Sequence, residues 1–400
     1  MDKQAILIFG VGPLQKSIID RCKRKGIYTI GIDPDKNAIC KNLVDVFEVV
    51  EGKDYMKTIE VAKKYKVTGI ITSATDKPLV MMARVAKTLN LSFFSVETAQ
   101  IATDKYLMKQ KFREAGIPCA KGVLLNKKID LDDLDCTYPV IVKPRDNSGS
   151  RGVVFCDNLK SLHSAVEETF QYTTKENVLV EEFINGKEYS IESIHYNGES
   201  NIIQITEKRT TEFPYNVELG HIQPASISAE QKDEIKQLII KIGNLLGFDN
   251  CASHTELKIN SNGIKIIETS PRLGGDFISS TLVPLSTGIN MEEILIDISI
   301  NNPLATKYFQ ASQRKNSGII YFQLPEGVIT DISNLNEISH VEGVHSWSFD
   351  LTVGEKVNKI SSSLNRYGYA IFQSTQKKSV DLIVDEINRI VHKNIKIQVS

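Results

Sequence analysis

Residues 254–272 read HTELKINSNGIKIIETSPR, in which two runs of alternating polar and apolar residues flank the tripeptide SNG at 261–263. Alternation with a period of two predicts β-strands, and a three-residue loop with Gly in the left-handed position is a favoured hairpin closure. Such a loop places Asn260 opposite Ile264. Because proline cannot continue the ladder, Pro271 ends the second strand. This stretch therefore predicts a β-hairpin.

The same register places Glu256 directly opposite Glu268, with both side chains on one face about 5 Å apart at Cβ. Two carboxylates this close repel each other, which favours a cation between them. Mg²⁺ uses few protein ligands and completes its shell with phosphate oxygens, and Ser270 points to the same face. Two alternatives remain open: a solvated hairpin whose carboxylates face water, and a register slip of one residue, which would separate the pair.

Length and composition limit the classes of protein to consider. The 400 residues predict two or three domains. The net charge of −1 argues against a nucleic-acid-binding surface, and no apolar stretch approaches the ~20 residues of a membrane helix. The six scattered cysteines form no Cys-x-x-Cys pair and suit small buried side chains in a reducing cytosol. We expect a cytoplasmic protein that binds neither nucleic acid nor membrane.

The first hundred residues alternate short apolar runs with amphipathic helix patterns, which predicts a doubly wound parallel α/β sheet. The turn GVGP after the first run lacks the third glycine of a dinucleotide fingerprint because Gln15 stands there, so a tight turn is favoured over an NAD site. The predicted strands are 5–9, 28–32 and 67–72, and the predicted helices are 14–25, 55–65 and 79–89.

Beyond residue 103 the pattern predicts an α+β fold with mostly antiparallel strands, and the last ninety residues predict a small α+β domain. We expect three domains, at 1–103, 104–305 and 306–400. The predicted helices are 103–115, capped by Thr103, then 158–172, 229–246 and 379–392. The predicted strands are 119–125, 138–143, 153–156, 178–183, 188–196, 201–207, 318–324, 344–349 and 369–373, besides the hairpin.

Three segments carry residues suited to a nucleotide. Lys143 ends an apolar strand just before a polar loop at 146–152, whose backbone N–H groups can cradle an anion. Lys105 lies near a helix start, where a cation is disfavoured unless an anion is bound. The segment EEFINGKE at 181–188 offers extended backbone for an adenine edge and Glu188 for ribose hydroxyls. The alternative for Lys143 is a snorkelling lysine beside a mobile loop. The alternative for Lys105 is an exposed lysine, and the alternative for residues 181–188 is a strand and a turn without a ligand.

In this order the motifs resemble those of the ATP-grasp superfamily: a helix beginning Asp-Lys, a strand ending Lys-Pro, a Gly/Ser loop, Glu-Glu-Phe-Ile, and His-Thr-Glu followed by Ile-Ile-Glu and Pro-Arg-x-Gly-Gly. The resemblance covers about residues 104–305. It implies a central ATP-grasp fold between an N-terminal α/β domain and a small C-terminal α+β domain.

The resemblance also implies residue roles. Lys105 and Lys143 hold ATP phosphates, and Glu188 takes the ribose. Glu256 and Glu268 hold Mg²⁺, with Mn²⁺ as a substitute; Ser270 stands where the family usually has a third ligand, Asn. The glycines and serines of the loop that closes over the phosphates are Ser148, Gly149, Ser150 and Gly152. The adenine contacts are Glu181, Glu182, Phe183 and Ile184.

The segments RLGG at 272–275 and ELGH at 218–221 resemble those of ATP-grasp carboxylate–amine ligases that act on amino acids. A structural hydrogen bond is the alternative role for His221. By this resemblance the amino-acid pocket is lined by Glu218, His221, Arg272, Gly274 and Gly275.

The expected function is an ATP-dependent ligase that joins a small-molecule carboxylate and an amine through an acyl phosphate, with Lys143 and Arg272 catalytic and release of ADP and phosphate. The resemblance favours a homodimer. Three alternatives remain: a bicarbonate-using ATP-grasp enzyme (a carboxylase or a carbamoyl-phosphate-synthase-like enzyme), a non-catalytic nucleotide sensor, and an oxidoreductase using the Gly10 turn.

Overall fold

The N-terminal part of the chain forms a parallel sheet in the computed structural model, which describes residues 4–126, 131, 134, 136–375 and 378–399. The strands are β1 Ala5–Phe9, β2 Tyr28–Asp33, β3 Val46–Val49 and β4 Gly69–Ile71, and the helices are α1 Lys16–Arg24, α2 Tyr55–Lys64, α3 Leu79–Leu89 and α4 Val96–Ala102. The strands lie in the order β3-β2-β1-β4. Leu7 packs with α2 and α3 on one face, and Ile8 packs with α1 on the other. The predicted doubly wound arrangement is confirmed.

The turn after β1 is closed by the chain's own side chains. The backbone N–H of Val11 donates to Asp33 Oδ2 at 2.9 Å, and that of Gly12 donates to Gln15 Oε1 at 3.1 Å. Gln15 in turn donates to Ser73 O at 2.7 Å. The groups that a dinucleotide site would present are therefore engaged within the turn, as the tight-turn interpretation expects.

The next part of the chain forms an antiparallel sheet behind a helix. Its elements are α5 Lys105–Glu114, β5 Gly122–Asn126, β6 Val140–Lys143, β7 Val154–Cys156, α6 Leu159–Thr169 and β8 Asn177–Glu182. The strand order is β5-β8-β6-β7. The predicted cap of α5 is wrong: Asp104, not Thr103, accepts the N–H groups of Tyr106 and Leu107. A carboxylate is the stronger cap because its negative charge also interacts favourably with the positive end of the helix dipole.

The largest sheet is antiparallel and has eight strands. Its elements, with the helices between them, are β9 Lys187–Tyr196, β10 Glu199–Thr210, β11 Glu218–Gln223, α7 Ala229–Leu246, β12 Cys251–Asn260, β13 Gly263–Ser270, α8 Val283–Thr287, α9 Met291–Ser299, β14 Ser317–Tyr321, β16 Val344–Phe349 and β18 Gly368–Gln373. The strand order is β13-β12-β9-β10-β11-β14-β18-β16. The sheet therefore continues past residue 305, across the predicted domain boundary.

The C-terminal residues add a smaller sheet and a final helix. Strands β15 Gly327–Ile332, β17 Lys356–Val357 and β19 Ile395–Gln398 lie in the order β17-β15-β19, and α10 spans Val380–Asn394. Sequence patterns did not predict β3, β11, these three strands, α4, α8 or α9. Helix α9 was missed because nearly every residue in it is buried, so it shows no polar face.

The hairpin forms, but its loop differs from the predicted one. Asn260 pairs with Gly263, not with Ile264, so the loop has two residues. A β-bulge between Glu256 and Leu257 shifts the register back by one residue. Glu256 therefore lies opposite Glu268, as the sequence predicts, although the predicted loop was wrong.

The N-terminal sheet packs tightly against α9. A Cβ added at Gly69 would lie 2.4 Å from Ser299 O, which is backbone and cannot rotate away. Ile6 and Ile8 share one core with Met291 and Ile294. Glycine at residue 69 thus allows β4 to approach α9. None of the helices in the described ranges is long and apolar enough to cross a bilayer.

We predict that Gly69→Ala lowers the free energy of unfolding by about 2 kcal/mol, because overpacking forces the backbone to shift. Urea unfolding followed by circular dichroism measures the change. The control is Gly52→Ala, where an added Cβ meets nothing within 4 Å. Equal stability of the two variants would contradict the packing argument.

Candidate active site

A cavity of about 510 Å³ lies between the four-stranded sheet of β5 to β8 and the eight-stranded sheet. Its wall also includes Ala74 from the N-terminal part and Arg366 from the C-terminal part. Gly152, Ser270 and Gly274 lie outside this lining. The predicted site residues that line the cavity are Lys105, Lys143, Ser148, Gly149, Ser150, Glu181, Glu182, Phe183, Ile184, Glu188, Glu218, His221, Glu256, Glu268, Arg272 and Gly275.

Lys105 is the first residue of α5, and its ammonium bridges two parts of the wall. It lies 2.9 Å from Glu268 Oε2 and donates to Asn147 O at 2.8 Å. Arg145 holds the cap Asp104 at 2.7 Å. Burial lowers the pKa of Lys105, but Glu268, Asp76 and Glu256 together raise it by more, so the net shift is upward. A charged lysine is thereby fixed beside the hairpin carboxylate.

Lys143 shares one buried carboxylate with a second lysine, which sequence analysis did not single out. Its Nζ lies 2.5 Å from Glu181 Oε2, and Lys109 Nζ lies 2.8 Å from Glu181 Oε1. Burial raises the pKa of Glu181, but Lys109 and Lys143 lower it by more, so the net shift is downward. Burial lowers the pKa of Lys109 to about 8, against the opposing effect of Glu181. The position of Lys109, four residues after Lys105 on α5, is the signal that could have found it.

Lys208 on β10 connects three of the predicted residues and was also missed. Its Nζ lies 2.6 Å from Glu188, 2.7 Å from Glu256 and 3.3 Å from Glu218. Burial lowers its pKa, but the carboxylates raise it well above the ordinary value. The predicted strand ended at Glu207, one residue short of this lysine. A continued alternation of Gln204, Thr206 and Lys208 could have revealed the inward polar face.

Arg272 forms a two-point ion pair with an aspartate from the N-terminal part. Its Nε and Nη2 donate to the two carboxylate oxygens of Asp76 at 2.9 and 3.2 Å. Ser270 Oγ also donates to Asp76. Burial raises the pKa of Asp76, but Arg272, Ser270 and Lys105 together lower it by more, so the net shift is downward. Asp76 was missed because 194 residues separate it from Ser270.

A buried carboxylate–histidine pair supports Glu256 from behind. His254 Nδ1 lies 2.5 Å from Glu192 Oε1, and its Nε2 lies 3.5 Å from Glu256. Burial lowers the pKa of His254, but Glu192 and Glu256 together raise it by more, to about 9. A Cβ on Gly274 would lie 2.7 Å from Glu192 Oε2, so only glycine lets this backbone approach the pair. Gly274 thus shapes the wall from outside the cavity.

The predicted pocket residue His221 joins a cluster reaching into the C-terminal part. His221 Nε2 lies 3.2 Å from Asp276, and the Arg366 fork holds both oxygens of Asp276 at 2.7 and 2.9 Å. The Arg366 guanidinium lies 3.8 Å from the ring centroid of Tyr321. Burial raises the pKa of Asp276, but His221 and Arg366 lower it well below its ordinary range. Arg366 lines the cavity, and no sequence motif marked it.

The 146–152 loop covers the cavity in a conformation that requires glycine. Gly149 and Gly152 have φ of 70° and 73°, and a Cβ on Gly152 would lie 2.8 Å from the Tyr172 ring. Asn147 Nδ2 donates to Tyr172 O at 3.2 Å.

An aromatic pair also lines the cavity: Phe183 packs edge-on against Phe213 with ring centroids 4.8 Å apart.

The hairpin carboxylates suit a hard cation that brings other ligands with it. Glu256 and Glu268 lie opposite each other on the face that lines the cavity. Burial raises the pKa of Glu256, but Lys208 and His254 lower it by more, so it is an ionised oxygen donor. Among the described residues no cluster of three or more His, Cys, Asp or Glu side chains could hold a metal ion alone. Magnesium, which completes its shell with water and phosphate, fits such a pair.

Comparisons with known proteins agree with this geometry. A family model for the ATP-grasp domain matches residues 136–280. The chain contains an ATP-grasp domain. A second model, for L-amino acid ligase C-terminal domain 2, matches residues 320–395, next to the ATP-grasp domain.

Individual relatives and solved structures are similar to this chain over much of its length. The alanine–anticapsin ligase of Bacillus amyloliquefaciens is 28% identical over 280 residues, a match covering 63% of this chain and 57% of that protein. The L-amino acid ligase of Bacillus licheniformis has a TM-score of 0.83 at 20% identity, covering 100% of this chain and 99% of that one. A third match is the biotin carboxylase domain of Hydrogenobacter thermophilus 2-oxoglutarate carboxylase, solved with MgADP and bicarbonate. It has a TM-score of 0.73 at 16% identity, and the match covers 99% of this chain and 90% of that one. The ATP-grasp fold is confirmed.

We predict that Lys208→Met lowers the free energy of unfolding at pH 7 by about 3 kcal/mol, because it leaves buried carboxylates unpaired. Without Lys208 the pKa of Glu256 rises, so the carboxylate regains a proton and the loss shrinks as the pH falls toward 5. Urea unfolding at pH 7 and pH 5 measures both effects. Lys187→Met, which removes an exposed lysine 4.0 Å from Glu207, is the control and should change stability little. An unchanged stability of Lys208→Met at pH 7 would refute the pairing argument.

Proposed function

We propose that the chain is an ATP-dependent carboxylate–amine ligase that forms an amide through an acyl phosphate and releases ADP and phosphate. One observation carries this proposal: Lys105, Lys143, the opposed Glu256 and Glu268, and Arg272 line a single cavity. Such a set suits the transfer of a phosphoryl group, which needs positioning and charge stabilisation more than covalent chemistry by the protein.

In this proposal the nucleotide lies between the glycine loop and the hairpin. Lys105 and Lys143 bind its phosphates, and loop N–H groups bind them as well. The adenine lies along residues 181–184, with backbone contacts from Phe183 and Ile184, while Glu188 receives the ribose. The Phe183 and Phe213 rings on this side of the cavity are consistent with binding a flat base.

Glu256 and Glu268 would hold Mg²⁺, or Mn²⁺ in its place, with Ser270 as a weaker third ligand. When bound, the ion would neutralise phosphate charge and orient the transferred group. Ser270 engages Asp76, which argues for the two glutamates as the main ligands. Lys105 and Lys208 would then exchange part of their contacts with these carboxylates.

The acid substrate, by resemblance an amino acid, lies near Arg272, whose guanidinium can bind a carboxylate or a phosphoryl group. Its carboxylate attacks the γ-phosphate, and Lys143 and Arg272 stabilise the charge that spreads over the phosphoryl oxygens. An amine then displaces phosphate from the acyl phosphate. Glu218, His221, Gly274 and Gly275 would shape the amino-acid pocket, with His221 held by Asp276. The closed loop would keep water from the acyl phosphate.

The organisation of the whole protein is also a proposal, because the match spans 57% of the length of the first relative. We propose domains at 1–103, 104–305 and 306–400, with the eight-stranded sheet joining the last two. We further propose a cytoplasmic homodimer that acts on small molecules. The near-zero net charge is consistent with the absence of a nucleic-acid partner.

A bicarbonate-using reaction is the second candidate, and the likeness to a biotin carboxylase domain solved with bicarbonate favours it. The two reactions differ in what triggers phosphate release. Release from Mg-ATP that needs a carboxylate and an amine together supports the ligase. Release that needs bicarbonate without an amine supports the second candidate, and nucleotide binding without release under any mixture supports a sensor.

We predict that Glu268→Gln removes most turnover, because it removes an anionic metal ligand. The fold should stay intact, because Glu268 lies on β13, the edge strand of the eight-stranded sheet. Phosphate release from Mg-ATP with pools of amino acids measures turnover, and circular dichroism checks the fold. Glu199→Gln, at an exposed residue of β10, is the matched control and should keep full turnover. Near-normal turnover of Glu268→Gln would refute the metal assignment.

A further inference from the structure

Lys109 is buried beside the proposed phosphate site but lies outside the cavity lining. It is 1% exposed, on the helix that begins with Lys105. Its ammonium lies 2.8 Å from Glu181 Oε1, while Lys143 lies 2.5 Å from Oε2 of the same carboxylate. Glu181 is itself 3% exposed. The cluster therefore contains two ammonium groups and one carboxylate in a volume with little water.

The charge balance of this cluster needs an explanation. Lys143 and Glu181 alone would form a closed neutral pair, and a lysine neutralised in this way attracts an anion weakly. Lys109 adds a second positive charge to the same carboxylate, and its Nζ donates to Glu181 Oε2 at 2.9 Å. Because buried charges are screened little, the cluster then carries a surplus positive charge that acts on the cavity next to it.

A purely structural role explains the cluster less well. A single buried ion pair already costs desolvation energy, and burying the ammonium of Lys109 adds a third desolvated charge to that cost. Met or Leu at residue 109 would fill the same space beside Phe112 at lower cost. The surplus charge is the property that an apolar residue could not supply.

We propose that Lys109 is a positioning residue for the nucleotide phosphates. By pairing with Glu181, Lys109 prevents this carboxylate from fully neutralising Lys143. Lys143 therefore faces the cavity with its positive charge available. This inference rests on the proposed function, because it concerns the same nucleotide. Lys109 acts through Glu181 and touches no substrate. It explains why α5 carries lysines four residues apart, one at the cavity and one behind it.

The first test is the dissociation constant for ATP, measured with Mg²⁺ by isothermal titration calorimetry, in the unaltered chain and in Lys109→Met. We expect binding to weaken about tenfold, the effect of one unit charge acting over about 10 Å at an effective dielectric constant of about 20. Adenosine, which has no phosphate, should bind both proteins equally in a competition assay. An equal loss for adenosine and ATP would mean that the strand end is distorted, and would overturn the proposal.

Two further variants separate charge from packing. Lys109→Met with Glu181→Gln removes one positive and one negative charge and leaves Lys143 unpaired, so ATP binding should recover relative to Lys109→Met alone. A structural role predicts that the double variant is as weak or weaker. Lys111→Met removes a partly exposed lysine from the same helix, 4.0 Å from Glu114, and should leave ATP binding unchanged.

The pH dependence gives a readout that packing would not change. Lys109 faces Glu181 and Lys143, with Cys119 nearby, and its pKa of about 8 means that it loses its charge as the pH rises through 8. ATP affinity of the unaltered chain should therefore fall between pH 7 and pH 9. His254, with a pKa of about 9, contributes to the same profile, so the comparison with Lys109→Arg is decisive. Arginine stays charged, and this variant should lose less affinity over that range.

The outcomes distinguish the inference from the proposed function. If the unaltered chain binds no ATP, the proposed function fails. If the unaltered chain binds ATP and Lys109→Met binds it equally well, only the inference on Lys109 fails. If Lys109→Met does not fold, Lys109→Arg decides by its pH profile: a profile identical to that of the unaltered chain would overturn the inference.

Discussion

The central constraint on this structure is that charges buried around one cavity have to be balanced. Removing an unpaired ion from water costs several kcal/mol, and a buried pair repays this only with good geometry. Three of the balancing contacts join distant parts of the chain: Asp76 to Arg272, Lys208 to Glu256, and Asp276 to Arg366. The N-terminal sheet, the hairpin and the C-terminal strands are thus held at the cavity by ion pairs as well as by apolar packing.

The hairpin shows why part of the site could be predicted from sequence. Side chains alternate across a strand, so the spacing of Glu256 and Glu268 indicates whether they share a face once the pairing is known. The actual loop is one residue shorter than the predicted one, and this difference alone would have turned Glu268 to the other face. The bulge beside Glu256 restores the pairing. The observed pairing of Glu256 with Glu268 thus depends on the two-residue loop and the bulge, and sequence analysis predicted neither.

The residues that were missed have a common physical reason. Asp76 pairs with Arg272, 196 residues away, and Arg366 pairs with Asp276, 90 residues away, and no local pattern marks such partners. Lys208 contacts Glu256, 48 residues away, besides Glu188 and Glu218. Lys109 is different, because its spacing from Lys105 is visible in the sequence. On an isolated helix, however, that spacing indicates one solvated face, and only the sheet packed over α5 makes Lys109 a buried charge. Local elements were therefore easier to predict than the charges that join them.

The same balance limits which ligand can enter. Lys105 already neutralises Glu268, and Asp76 already occupies the Arg272 fork, so an incoming group has to exchange with a contact inside the protein. A bare anion that took Lys105 would leave Glu268 buried without a partner. A phosphate chain that arrives with a divalent cation supplies both signs, so every group can change partner without being left alone. If the cavity holds a nucleotide, as proposed, this balance favours the metal-bound form over the free anion, because every buried charge then keeps a partner of opposite sign.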